Sequence, residues 1–197
     1  MAQHPHWDDS YLGSPPLDIG RPQPSIVALA EAHKIVGRVL DVGCGTGEHA
    51  LLAARHGCNA YGIDISTRAI EIARTKAAER GLTAHFQVGD ALHLDRLRIE
   101  FDVIIDSGLF HVFDDHDRPR YVESMARVLR IRGTCFLMCF SDRQPGTWGP
   151  RRVSQAELRE AFSDGFSIES VEPAVFAVAL EPSDVQAWLA TIRRNAD

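Results

Sequence analysis

Short strand-like runs alternate along the chain with stretches in which apolar residues recur every three or four positions. Residues 39–42, 59–64, 83–88, 101–106 and 134–140 are the runs, each short, largely apolar and bounded by polar residues or glycine, as buried strands are. Helical spacing fills the gaps at residues 48–56, at 66–80 behind Ser66 as cap, and at 118–130. Gly57 and Gly81 supply helix stops, and Pro119 suits a first turn. Ser25 is the expected N-cap of an earlier helix over 25–36, and residues 92–100 form a polar, helix-like connection. After the fifth strand, Ser154 caps a helix to about Phe162. Residues 167–172 and 174–180 then suggest two closing strands joined at Pro173, and 183–193 a final amphipathic helix. Strand and helix in alternation, followed by a strand pair, predict an α/β fold with a mostly parallel, doubly wound sheet and helices on both faces.

Residues 1–24 stand apart as an arm ahead of a single domain over 25–197. Prolines exclude regular structure across 15–24. Yet the arm carries Trp7, Tyr11, Leu17 and Ile19, which a disordered tail seldom does. It is expected to dock, either as static packing or as a lid over a ligand site.

Composition narrows the function classes. The 197 residues suit one domain with its own core. A formal net charge of −6 argues against nucleic acid as a partner. No apolar run approaches a membrane span, and the first residues lack a signal-peptide core. Cys44, Cys58, Cys135 and Cys139 show no C-x-x-C spacing, and strand rise sets Cys135 and Cys139 roughly 13 Å apart. Reduced thiols, a cytoplasmic location and no metal site are the expectation.

The chemistry gathers at Asp41-Val42-Gly43-Cys44-Gly45-Thr46-Gly47-Glu48-His49, between the first strand and its helix. Glycine turns sharply there and lets backbone N–H groups approach a ligand without a Cβ in the way. The helix N-terminus adds unpaired donors aimed the same way. A dinucleotide fingerprint needs a third glycine where this chain has Glu48. Asp64 ends the second strand, where α/β folds place an acid on ribose hydroxyls, although a helix N-terminal acid is the plainer role. Asp90 likewise stands either at a ligand or as the cap of a turn.

The D-x-G-x-G-x-G spacing resembles the first motif of the class I S-adenosylmethionine (SAM) methyltransferases. The whole chain is similar to bacterial small-molecule methyltransferases of the thiopurine-methyltransferase and tellurite-resistance kind, and especially to actinobacterial heterocyclic-toxin methyltransferases. The carriers are Trp7-Asp8-x-x-Tyr11-x-Gly13-x-Pro15-Pro16-x-Asp18-Ile19-Gly20, the glycine loop, Asp106-Ser107-Gly108-Leu109-Phe110-His111-Val112-Phe113 and Cys139-Phe140-Ser141-Asp142-Arg143. The resemblance implies a Rossmann-like sheet of seven strands, the last antiparallel, and SAM as cofactor. It implies that Asp41, Gly43, Gly45, Gly47 and His49 surround the methionine end, that Asp64 and Ile65 meet the ribose, and that Asp90 and Ala91 face adenine. Asp106, Ser107 and Gly108 complete the cofactor set. Two departures stand out. The Asn/Asp-Pro-Pro-aromatic motif of nucleobase and glutamine methyltransferases is missing after the fourth strand, and the usual Pro-Gly-Gly turn is Ile131-Arg132-Gly133.

The acceptor is expected over the fourth and fifth loops, beneath the arm. Trp7, Tyr11, Leu17, Ile19, Phe110, Phe113 and Trp148 would line it, or belong in part to the core. Such a lining favours a small aromatic or heterocyclic molecule. Methyl transfer is an in-line displacement for which positioning supplies much of the rate. His111 is the candidate general base, with acceptor orientation and plain packing as alternatives, and Asp142 is a second candidate. The resemblance implies detoxifying methylation of a hydroxyl or ring nitrogen on a quinolone-, quinone- or phenol-like compound. Rival readings are a SAM-binding module without transferase activity, a thiol- or metalloid-directed methyltransferase, and a nicotinamide oxidoreductase.

Overall fold

The computed structural model describes residues 7–13, 15–179 and 184–196. Seven strands form one sheet: β1 Arg38–Val42, β2 Asn59–Asp64, β3 Ala84–Val88, β4 Phe101–Ser107, β5 Leu129–Phe140, β6 Phe166–Ala177 and β7 Asp184–Arg194. Their order is β3-β2-β1-β4-β5-β7-β6. Adjacent strands are parallel from β3 to β5, and β7 runs antiparallel to both β5 and β6. The helices are α1 Trp7–Ser10, α2 Pro24–Glu31, α3 Glu48–Arg55, α4 Thr67–Glu79, α5 Asp117–Val128 and α6 Gln155–Ala161. One core layer packs α2 and α3 on the sheet through Ile26, Leu29, Leu52, Val39 and Ile105. The other packs α5 and α6 through Tyr121, Met125, Leu158, Ile104 and Leu137. The sheet is thus covered on both sides, as its central strands β1 and β4, largely apolar and buried, require. Among the described residues no helix is long and apolar enough to cross a membrane.

The end of the chain corrects the sequence reading. The expected last helix is β7, and Ser183, its expected start, lies outside the described residues. The helical spacing came from a central strand buried on both faces. Val185 and Ala187 enter one core layer, and Trp188, Ala190 and Ile192 the other. The two closing strands are one, β6, which runs through Pro173. An outermost strand tolerates a missing N–H on its free edge.

Three smaller corrections follow. The first helix is α2, with Pro24 in its first turn, and its N-cap Gln23 makes no side-chain cap. Pro fits the first helical position better than Ser25 because its N–H is not needed there. This helix ends before His33, which takes φ 54°. The turn at Ile131-Arg132-Gly133 is absorbed into β5, where Arg132 has φ 63° and the pairing with β4 shifts register between Phe101 and Val103.

Candidate functional site

The glycine loop closes over the carboxyl ends of β1 and β2. Gly45 has φ 51°, and a Cβ there would lie 2.8 Å from the Tyr11 hydroxyl. Gly43 has φ 64°, with Leu109 side-chain atoms 3.1 Å from its missing Cβ. Asp64 ties this loop to the next helix: one carboxylate oxygen accepts the Gly45 N–H at 2.8 Å, the other the Ser66 N–H at 2.9 Å. Burial nevertheless lifts its pKa above the usual carboxylate range. Ile65 beside it is exposed. Asp41 is buried beneath the loop, accepts the Ala50 N–H at 3.1 Å and lies 3.9 Å from His49 Nδ1. Burial raises its pKa far above the usual range. Under Gly47, Glu48 gathers Lys76 and Arg80, each at 2.8 Å, locking α3 to α4.

The third and fourth loops complete the cleft. Asp90 accepts the Leu92 N–H at 2.9 Å and caps the 3-10 segment Ala91–Leu97. Ala91 beside it is half-buried. Asp106 is fully buried and accepts from Leu109 N–H at 2.8 Å, Phe110 N–H at 3.1 Å and the Tyr121 hydroxyl at 2.8 Å. Burial pushes its pKa up to about 6. The carboxylate turns toward α5 and shapes the loop. Ser107 Oγ, next in line, is buried without a hydrogen-bond partner. Gly108, at φ 97°, donates its N–H to Met138 and has Leu17 3.0 Å from its missing Cβ.

The acceptor side differs most from expectation. His111 is 2% exposed, and its Nδ1 accepts the Phe140 N–H at 3.0 Å. The ring proton therefore sits on Nε2, which faces Gly108 at 3.6 Å from that residue's missing Cβ. Burial first, then the charges of Arg118 and Arg152, push its pKa down to about 3. At neutral pH a ring in this state is uncharged and donates from Nε2. The Asp142 carboxylate accepts Trp188 Nε1–H at 3.1 Å and the Ser141 hydroxyl at 3.3 Å. Phe110 is core, packed near Phe162, and Phe113 lies 4.7 Å from the Tyr121 ring. Asp106 draws in the backbone of residues 109–110. Trp148 is exposed, 6.0 Å from Phe140. Its loop wraps the Arg152 guanidinium, which donates to the carbonyls of Gln144, Gly146 and Pro150.

The arm crosses this cleft. Half-buried Trp7 opens α1, and Asp8 accepts from Ser66 Oγ at 2.6 Å and Arg68 N–H at 3.2 Å at the start of α4. Tyr11 stands over Gly45, and burial plus the nearby Asp64 raise its phenol pKa. Leu17 stands over Gly108. Ile19 joins Tyr11, Asp18, Thr46, Ile72 and Lys76 around a cavity of about 450 Å³ outside the loop. Sequence reasoning missed Gln23. It is 2% exposed, donates its N–H to His49 Nε2 at 3.1 Å and exchanges two 3.0 Å hydrogen bonds with the Ala177 backbone. A polar residue between Pro22 and Pro24 was the only signal. With Nε2 accepting, His49 carries its proton on Nδ1, toward Asp41, and burial pushes its pKa down to about 4.

Residues 39–133 match the family described as methyltransferase domain. The 2-heptyl-1-hydroxyquinolin-4(1H)-one methyltransferase of Mycobacteroides abscessus is 39% identical over 163 residues, covering 81% of this chain and 72% of that protein. The chain belongs to the class I SAM-dependent methyltransferases. A solved structure concerned with conversion of a disulfide bond into a thioacetal group during echinomycin biosynthesis superposes with TM-score 0.87 at 37% identity. It covers 96% of this methyltransferase and 91% of that chain. TehB from Haemophilus influenzae shares the fold at TM-score 0.71 and 16% identity, over 87% of this chain and 62% of its own.

The methyltransferase cleft fits its cofactor. Gly43 and Gly45 leave backbone exposed where a side chain would block it, and Ser107 Oγ is a buried hydroxyl in want of a partner. Each Asp64 oxygen accepts one backbone N–H and keeps lone-pair capacity for another donor. When bound, SAM supplies an activated methyl group on a cationic sulfur, a charge that the acids beneath the loop favour.

Proposed function

We propose that this methyltransferase methylates a hydroxyl or ring nitrogen of a small aromatic or heterocyclic compound, quinolone-, quinone- or phenol-like, as a detoxifying reaction. The observation that carries this reading is the 39% identity, across 81% of the chain, to an enzyme named for a hydroxyquinolone. In this reading Asp64 takes the ribose hydroxyls, with Ile65 beside it at the ribose. Asp90 and the Ala91 N–H meet adenine. Gly43, Gly45 and Gly47 pass beneath the methionine portion, with Asp41 and His49 behind them, and Ser107 and Gly108 form the floor. Residues 1–24 are the lid of a single catalytic domain over 25–197, with Tyr11 and Leu17 as its inner face. Free thiols at Cys44, Cys58, Cys135 and Cys139 suit a reducing cytoplasm.

Positioning then supplies most of the rate, because His111 donates rather than accepts at neutral pH. An acceptor whose hydroxyl ionises easily, or whose ring nitrogen offers a lone pair, needs no strong base. A sulfur acceptor is the second reading. It is favoured by the 37% identity to the protein solved for the disulfide-to-thioacetal conversion. Incubation with SAM and a panel of hydroxyquinolines, phenols, hydroquinones and aromatic thiols, followed by mass spectrometry, tests both. Methylated oxygen or nitrogen products support the first, products from thiols alone support the second, and no product from any class rejects both.

A further inference from the structure

We infer that Arg118 is an acceptor-binding residue, whose Nε and Nη2 edge takes an anionic or carbonyl oxygen that the acceptor ring carries away from the methylated atom. This rests on the aromatic-acceptor reading above and sharpens its substrate class. Arg118 lies in the first turn of α5 and is 6% exposed. Its Nη1 reaches Glu157 at 3.3 Å, a carboxylate already engaged by Arg151 and by the Ser154 capping box. Its Nε and Nη2 are buried with no hydrogen-bond partner among the described residues. Those two N–H groups share one edge of the guanidinium and point the same way, the geometry that matches paired oxygen lone pairs. The Phe110 ring, 4.8 Å from Cζ, supports one face of the group but accepts nothing in its plane.

A buried guanidinium stays charged, and leaving its donors unmet is costly. Such a cost is tolerated where a ligand meets it. The position suits the acceptor: α5 begins where the exit loop of β4 ends, facing the exit loop of β5. Arg118 and Arg152 both act on His111 with their charge, and the Nε2–H of His111 turns to the Gly108 backbone. An arginine edge left open there selects a ring that carries an oxygen acceptor and rejects its bare counterpart.

The test uses the full chain loaded with S-adenosylhomocysteine, titrated by calorimetry with 1-hydroxyquinolin-4-one and with quinoline, which lacks both oxygens. Wild type is expected to prefer the oxygenated ring by roughly tenfold or more, as a charge-assisted hydrogen bond implies. Arg118→Met replaces the guanidinium with an apolar chain that the site can bury. It should erase the preference while S-adenosylhomocysteine affinity stays the same. Arg118→Lys keeps the charge without the forked edge and should keep only part of the preference; it also serves if the Met variant melts early. Equal preference in wild type and both variants overturns the inference, as does a wild type that prefers neither ring or binds neither. If the preference holds and no ring gains a methyl, the Arg118 assignment stands and the proposed reaction fails.

Discussion

The Nδ1 atom of His111 accepts the backbone N–H of Phe140 at 3.0 Å, joining the exit loop of β4 to the last residue of β5. That bond fixes the tautomer, and burial with two nearby arginines holds the ring neutral, with a pKa of about 3. An unfolded histidine takes up its proton near pH ~6.5. Between these values the unfolded chain holds a proton that the fold refuses. The sign is therefore destabilising as pH falls below ~6.5, by about 1.4 kcal/mol per pH unit from this group. His111→Asn keeps an acceptor for Phe140 and removes the titration. Denaturant melts between about pH 7.5 and 5 should show a smaller acid loss in this variant than in wild type. A histidine inflection near neutrality in the wild-type rate profile would contradict the assignment.

Gly45→Ala should strain the loop and push the arm away together. The residue has φ 51°, and its Cβ would meet the Tyr11 hydroxyl at 2.8 Å. The left-handed backbone alone costs roughly 1–2 kcal/mol. Adding Tyr11→Ala should recover the part due to the clash and leave the backbone part. Thermal melts of the single and double variants separate the two, and additive losses would mean that Tyr11 does not crowd Gly45.

Asp64→Ala should weaken SAM and S-adenosylhomocysteine by roughly tenfold or more, since the ribose donors lose their acceptor. The Gly45 and Ser66 N–H groups also lose theirs. Calorimetric titration of both ligands is the check, and unchanged affinity would remove Asp64 from the site.

Removing residues 1–20 should leave a folded domain with sharply reduced methyl transfer. The arm buries few residues of its own, yet Tyr11 and Leu17 roof the glycine loop and Gly108. Covering the cleft excludes water and holds the acceptor in line. Hydrogen exchange of arm peptides should slow when S-adenosylhomocysteine is added. Wild-type turnover by the truncated protein would leave the arm as static packing.

Much of this was legible in the chain because the first five strands are short runs with local stop signals, and β1 and β4 are largely buried. The glycine loop, Asp64 and Ser66 occupy the places their spacing implied, since backbone needs dictate those residue types directly. β7 was not legible, because a strand buried on both faces carries no period-two pattern. The packing of Phe110, Phe113 and Asp106 was not legible for one reason. The direction of a loop side chain depends on what the neighbouring carboxylate grips, here Tyr121 on a helix further along the chain. Gln23 depends on partners too remote for any local pattern to register.

That remoteness has a consequence for how the protein is made. Gln23 and Ala177 are 154 positions apart, and Pro16 accepts the N–H of Ala179. An early stretch of this domain is thus fastened to one made long after it. While the chain emerges, the arm lacks its seat on β6, because that strand does not yet exist and closing so long a loop is slow. The cofactor cleft can take shape from β1 to β4 well before its roof. A nascent chain would hold SAM in an open groove, and methyl transfer would begin only after β6 and β7 have joined the sheet.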